Sequence, residues 1–281
     1  MNPFLVRDKL PDFYSIKPKH VIPAINKVIN ENFKVISGIE SMSESPNWMN
    51  FVVPLEICSE RIDRVWSYIN HINAVKCSTS YRKVYNQALA KVTEYSSHLG
   101  QSHILYSKYK NVLQNNNQLS HSQKKLITNE IISFELSGVA LHEKQKTKFK
   151  LIQSKLSKLS SSFDENILDS INSFKLVISD TNLLKGIPSD VVRSALLKAK
   201  AKKIKGYLFT IDFPSYLPIM QYADDRKLRK DIYTAYNTKA SSLMNSKFDN
   251  TKNINHILKL KYEMSELLGY SNISSMLLRT K

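Results

Sequence analysis

The chain has 281 residues, 42% of them apolar, and a formal net charge of +17. That is enough apolar material for a sizeable core, in one large domain or two smaller ones, and it argues against a disordered chain. Lysine supplies 33 of the 41 basic residues, so the charge reads as solvated helix faces rather than a specific nucleic-acid surface, which relies on the arginine fork.

Residues 10–29 read as an extended lead-in followed by a helix, with Pro18 near the first turn, where its missing N–H costs nothing. Asn47 or Ser45 caps a long helix through Lys76, whose apolar positions Leu55, Ile62, Val65, Ile69 and Ile72 form one stripe. Thr79 or Ser80 begins another helix through Leu99, and residues 102–113 give a shorter one. Asn115, Asn116 and Asn117 make a polar loop, after which the chain re-enters a helix near Ser120. Residues 131–173 are the clearest helical region: Phe149, Ile152, Leu156, Leu159 and Phe163 step by threes and fours, with Lys144, Lys146, Lys148, Lys150, Lys155 and Lys158 on the other faces. A long antiparallel hairpin, 120–140 against 142–170, would bury both stripes.

The period then changes. Residues 174–178 are short and β-branched, a strand, and residues 207–211 read as a second strand able to pair with it. Between them Pro188 starts a helix over 189–201. Lys198, Lys200, Lys202, Lys203 and Lys205 lie near its C-terminal end, where cations complement the helix dipole. Asp224 and Asp225 supply a cap and a first-turn carboxylate for a helix through about Leu243. A last helix over 252–268 ends at Gly269. The expectation is an all-α architecture of long antiparallel helices with one small β-ribbon at about 174–178 and 207–211, without repeats or a flexible linker.

The chemistry-bearing residues are few and scattered. Only 6 residues are glycine, against about 7% of an average protein, so no Gly-rich phosphate cradle is available. Cys58 and Cys77 lie on or beside an apolar helical pattern and read as buried free thiols. No apolar run approaches the ~20 residues that span a bilayer. The first residues lack the apolar centre of a secretory signal, so a cytoplasmic protein is expected.

A helix offers two imidazoles to one metal when they lie four residues apart. None of the seven histidines, His20, His71, His98, His103, His121, His142 and His256, has such a partner. His142-Glu143 comes nearest, but its second ligand position is Lys146, a cation. His71 reads as a packed or capping ring, and His98 and His103 have no thiol or carboxylate cluster beside them. There is no Gly-x-Ser-x-Gly elbow, and neither cysteine has a compelling His or Asn partner. Asp224 and Asp225 are adjacent, so their side chains point apart and read as caps. Tyr207, Tyr216, Tyr222, Tyr233 and Tyr236 read as packing. No catalytic, cofactor-binding or metal-ligating residue is expected.

Several segments nevertheless carry a family pattern. Residues 206–241, GYLFTIDFPSYLPIMQYADDRKLRKDIYTAYNTKAS, combine a strand, an aromatic-proline turn from Phe213 to Pro218, and a helix ending near Tyr233 and Tyr236. Before them come Leu10-Pro11-x-Phe13, His20-Val21-Ile22-Pro23-Ala24, His71-Ile72-Asn73-Ala74-Val75-Lys76, Glu94-Tyr95-Ser96 and Phe134-Glu135-Leu136-Ser137-Gly138. Asn166-Ile167-Leu168-Asp169 and Leu267-Leu268-Gly269-Tyr270 complete the series. In this order the chain resembles the oligopeptidase A branch of the thimet-oligopeptidase-like zinc metallopeptidases.

The resemblance implies a mostly helical ellipsoid with a deep channel that admits short peptides and excludes folded proteins. It implies that residues 1–281 are the N-terminal helical region, with the catalytic zinc region, including its His-Glu-x-x-His helix, absent. No zinc ligand, catalytic Glu or oxyanion group can then be carried over. The chain is expected to supply scaffold and channel wall and to be inactive alone. Zinc is expected in the full-length family enzyme, with none bound here. Oligopeptides are the implied substrates once a catalytic half completes the enzyme, and a second chain carrying the zinc site is one such completion. Ile254, Ile257, Leu258, Met264 and Leu267 should then have lost part of their cover. Neither a specific nucleic-acid partner nor a membrane is expected. The competing reading is a noncatalytic helical module that binds peptides or a protein partner.

Overall fold

The structure, a computed structural model, describes residues 2–6, 11–76, 78–115 and 118–280, with Ser246 and Thr280 described by backbone alone. The expectations placed on Leu10, Cys77, Asn116 and Asn117 lie outside those residues. The chain divides into two units, Met1–Lys158 with Ile257–Lys281, and Leu159–His256.

In the first unit, a short 3-10 turn at Pro18–His20 leads into α1 (Val21–Ser41). Asn47 then caps the next helix, accepting from the N–H groups of Met49 and Asn50 at 2.8 and 3.0 Å while Asn50 Oδ1 accepts from Asn47 N–H at 2.8 Å. The first turn after this cap, Trp48–Val52, is π-helical, and α2 (Val53–Val75) follows. Pro54, second in α2, has no N–H to donate back into that turn. The apolar stripe foreseen on α2 is buried at all five positions.

Next come α3 (Thr79–Gly100), capped by Ser78, α4 (His103–Asn115) and α5 (His121–Leu136). α5 opens on a reciprocal cap between Ser120 and Gln123. α1 packs against α2 and α3. Phe4, Ile25, Ile36, Phe51, Ile69, Leu105 and Ile127 fill the core between these helices and are fully buried. Trp66 stacks on Tyr85 across α2 and α3 at 5.2 Å.

α6 (Glu143–Ser173) begins in this unit. The expected hairpin partnership is redirected. α5 packs on α4, where Phe134 meets Tyr106 and Tyr109. The first half of α6 instead bonds to α3, through Ser97 with Gln153 at 2.6 Å and Thr93 with Ser157 at 3.0 Å. On α6, Phe149 and Ile152 are buried while Leu156, Leu159 and Phe163 are only half-buried. One lysine departs from the solvated face assigned to it: Lys146 is buried, with its ammonium 3.4 Å from the exposed Glu143 carboxylate. A four-carbon stem can cover apolar surface while the charge reaches the rim, and this explains its place.

The second unit holds the ribbon. β1 (Leu176–Ile178) and β2 (Tyr207–Phe209) pair antiparallel, with Leu176 opposite Phe209 and Ile178 opposite Tyr207. α7 (Ser189–Ala201) packs on β2. Ile178, Phe209, Ile211, Ile219, Leu228 and Ile232 form the unit's core. The expected aromatic-proline turn is itself helical: α8 spans Phe213–Tyr222. Pro214 fits the first turn, and Asp212 O accepts from Ser215 and Tyr216 N–H at 2.9 Å, so the helix starts in spite of two prolines.

α9 (Arg226–Asn237) stops short of the expected Leu243. Asn237 and Thr238 side chains donate to the carbonyls of Tyr233 and Thr234 at 2.8 Å, and Ala240 turns left-handed with φ +53. Ala240 N–H is then held by Ser170 Oγ at 2.9 Å. α10 (Thr251–Leu267) ends before Gly269, whose φ of +78 suits the expected terminator, and α11 (Ile273–Leu277) follows. The all-α reading with one small ribbon holds.

Candidate functional site

The second unit gathers the aromatic and acidic residues singled out above. Tyr216 of α8 stacks on Tyr236 of α9 with ring centres 3.9 Å apart, and Lys239 Nζ lies 3.4 Å over the Tyr236 ring. Tyr222 and Tyr233 are exposed. Asp225 Oδ1 accepts from Leu228 N–H at 2.6 Å and caps α9. Asp224 contributes backbone: its N–H donates to Lys185 O at 2.9 Å, and its carbonyl accepts from Arg229 Nη1 at 3.0 Å. Arg229 also reaches Ala223 O. Lys198, one of the lysines at the end of α7, pairs with Asp212 at 3.4 Å and donates to Thr210 Oγ1 at 3.2 Å. These contacts organise the turns around α8 and α9 and bring no reactive pair together.

The histidines stay apart. His20 Nδ1 accepts from Lys17 N–H, His71 leans on Phe13 at 5.6 Å, and His98 meets Phe33 edge-on at 5.2 Å. His103, His121, His142 and His256 are exposed. Lys146 fills the position where a second imidazole would complete the His142 turn. Among the described residues no group of three or more His, Cys, Asp or Glu side chains is placed to hold a metal ion.

A polar inset that sequence reasoning missed lies within the first unit. It is a cavity of about 260 Å³ lined by Cys58, Asp63, Tyr95, Tyr109, Glu130 and Ser137 among others. Asn32, fully buried, donates from Nδ2 to Cys58 O at 2.8 Å and to Tyr95 Oη at 3.1 Å. Burial raises the Tyr95 phenol to about 12 and also pushes the Tyr109 phenol up. Burial raises the Cys58 thiol too, Arg61 only partly opposing it, so the sulfur is a protonated and poor nucleophile. Glu130 is held above the usual carboxylate range first by burial and then by the charge of Glu56. Asp63 is raised by burial and by Glu60. No apolar period marks such an inset, because its members come from five separate helices, α1 to α5.

The raised Glu130 has a sign that can be measured. Its folded form holds a proton more tightly than its unfolded form, so the first unit loses stability as pH rises from the ordinary carboxylate range through the raised value. Glu130→Gln removes the ionisation while keeping the shape. Urea midpoints compared between pH 4 and pH 7 should fall less in this variant than in the wild type; equal falls would show that Glu130 is not the responsible group.

Known proteins place the chain. Residues 25–146 match the family described as Neurolysin/Thimet oligopeptidase, N-terminal domain, and residues 219–281 match Peptidase family M3. Oligopeptidase A of Haemophilus influenzae is 38% identical over 287 aligned residues, which cover 100% of this chain and 42% of that protein. The chain belongs to peptidase family M3. Oligopeptidase A of Escherichia coli is 35% identical over 284 residues, with 100% of this chain and 42% of the relative covered. The probable cytosolic oligopeptidase A of Arabidopsis thaliana is 35% identical over 292 residues, covering 100% of the chain and 41% of that relative. The chain thus spans about two fifths of the length of these M3 relatives. No helix among the described residues is long and apolar enough to cross a membrane.

Proposed function

We propose that residues 1–281 are the N-terminal helical region of a cytoplasmic zinc oligopeptidase of the oligopeptidase A kind, and that they supply scaffold and channel wall rather than reacting groups. The observation that carries this reading is the similarity to oligopeptidase A along the whole chain at 35–38% identity. Its substrates are short peptides, cut once a metal-binding half completes the enzyme in a longer polypeptide or as a second chain.

The residues present do not fit the family's zinc. Such a site needs three ligands around an open position. The sequence has no His pair four residues apart, and the described side chains form no metal-holding group. No step through zinc is therefore assigned to this chain. The exposed apolar residues of α10 support a role as part of a larger assembly. Ile254 and Leu258 are 44% and 58% exposed, and Tyr262 follows four residues on at 53%, whereas Ile257, Met264 and Leu267 are half-buried.

Purified chain incubated with a quenched fluorogenic peptide and added zinc should give no turnover above the peptide's own hydrolysis. Chelator-sensitive cleavage by the pure chain would overturn the scaffold reading.

A further inference from the structure

A second polar feature of the first unit lies between α1 and α2, outside the inset around Tyr95. Arginine is scarce, 8 residues in 281, yet Arg61 and Arg64 stand three apart on α2, so both face the same side of the helix. They line a cavity of about 400 Å³ together with Asn2, Leu5 and, from α1, Lys27 and Glu31. That volume falls within the range of small-ligand sites.

The arginines are incompletely satisfied. The Nε of each is sealed from solvent and has no hydrogen-bond partner among the described residues. Leaving a buried donor without an acceptor costs about 1–3 kcal/mol, more for a charged group. Arg64 has an ion pair with Glu60, which is 57% exposed, at 3.4 Å. Arg61 has no ion pair among the described residues. Lys27 meets Glu31 only at 3.8 Å, with both side chains largely in water. Among the described residues three cations thus converge on one cavity, and Glu31 is the only carboxylate lining it. Asn2, also in the lining, is already engaged through Nδ2 with His20 O.

A guanidinium matches two coplanar oxygens through parallel N–H donors, a geometry that carboxylate and phosphate supply and chloride does not. We infer that the Arg61–Arg64–Lys27 cavity is a binding site for a small oxyanion, the terminal carboxylate of a short peptide or a phosphate group. The inference stands on this cavity alone and is independent of the proposed peptidase role.

The experiment uses the full chain at fixed ionic strength, because a protein of this net charge attracts any anion weakly. Thermal midpoints are recorded against inorganic phosphate, against trialanine with a free carboxyl end, and against trialanine amide, each balanced with chloride. A saturable rise with phosphate or with the free acid, absent with the amide and with chloride, is the expected result; which of the two saturates identifies the source of the oxygens. Arg61→Gln should weaken the response about tenfold or more. Arg64→Lys keeps the charge but loses the fork, and should weaken it several-fold with the fold intact by circular dichroism, so a misfolded Arg61→Gln would not decide the matter. No saturation with either oxyanion, or unchanged titration in the folded variants, overturns the assignment.

Discussion

Replacing Gly186 by alanine should cost the 159–256 unit about 3 kcal/mol or more of stability. Gly186 lies between the 3-10 turn Thr181–Leu184 and α7 with φ +82, where a side chain is strained whatever room it has. Here it has none. A β-carbon would stand 2.0 Å from the Tyr222 carbonyl oxygen and 2.7 Å from Asp224 Oδ1. The obstacle is backbone at the end of α8, held because Asp224 N–H donates to Lys185 O at 2.9 Å next door. Relief therefore requires breaking the link between this turn and the α8–α9 connection. Urea unfolding followed by circular dichroism measures the loss. Gly38→Ala is the contrasting control: it lies within α1 with nothing within 4 Å of an added β-carbon. It should stabilise the protein by about 0.5–1 kcal/mol. A Gly186→Ala protein as stable as wild type would contradict the close approach described here.

Phe51→Ala should be comparably damaging to the other unit, by about 3–5 kcal/mol. Phe51 is fully buried and meets Tyr109 edge-on with ring centres 4.7 Å apart, so truncation loses apolar burial and an aromatic pair together. It sits in the π-helical turn fixed by Asn47 and followed by Pro54, where the backbone has little freedom to close over the cavity. Met49, in the same turn, is 70% exposed, so Met49→Ala should change stability by less than about 0.5 kcal/mol. Equal losses in the two variants would mean that the turn does not present Phe51 to the core.

Much of this was legible in the sequence, for identifiable reasons. Leu55, Ile62, Val65, Ile69 and Ile72 repeat along one helix, and a single-helix period is a local property. The ribbon could be read because Val177 and Ile178 interrupt a long helical stretch with β-branched residues. Phe51 could not be read that way, since the π-turn shifts the register that would link it to the stripe. Phe213–Pro218 read as a turn because two prolines outweigh propensity locally, although Asp212 supplies the first acceptor that lets α8 form over Phe213–Tyr222. The end of α9 depended on Asn237 and Thr238 bonding to its own carbonyls, and on Ser170, 70 residues earlier, receiving Ala240.

The candidate sites were less legible than the fold. Capping was read for Asp224 and Asp225 together because it is also local, and the structure gives it to Asp225 alone, with no carboxylate in the first turn of α9. The Asn32–Cys58–Tyr95 inset and the Arg61–Arg64–Lys27 cavity each need residues from separate helices. Arginine spacing was the available signal, and it was not unique: Arg61 and Arg64 stand three apart, but so do Arg226 and Arg229.

The sealed sulfur of Cys58 has a use of its own. It is 2% exposed, and burial holds it as thiol, while alkylating reagents react with exposed thiolate. A reagent reaches it only in molecules whose helices have parted around the cavity that Cys58 lines. With Cys77 changed to serine, the rate of Cys58 labelling in the native protein becomes a clock for that opening, counted in molecules per second without denaturant.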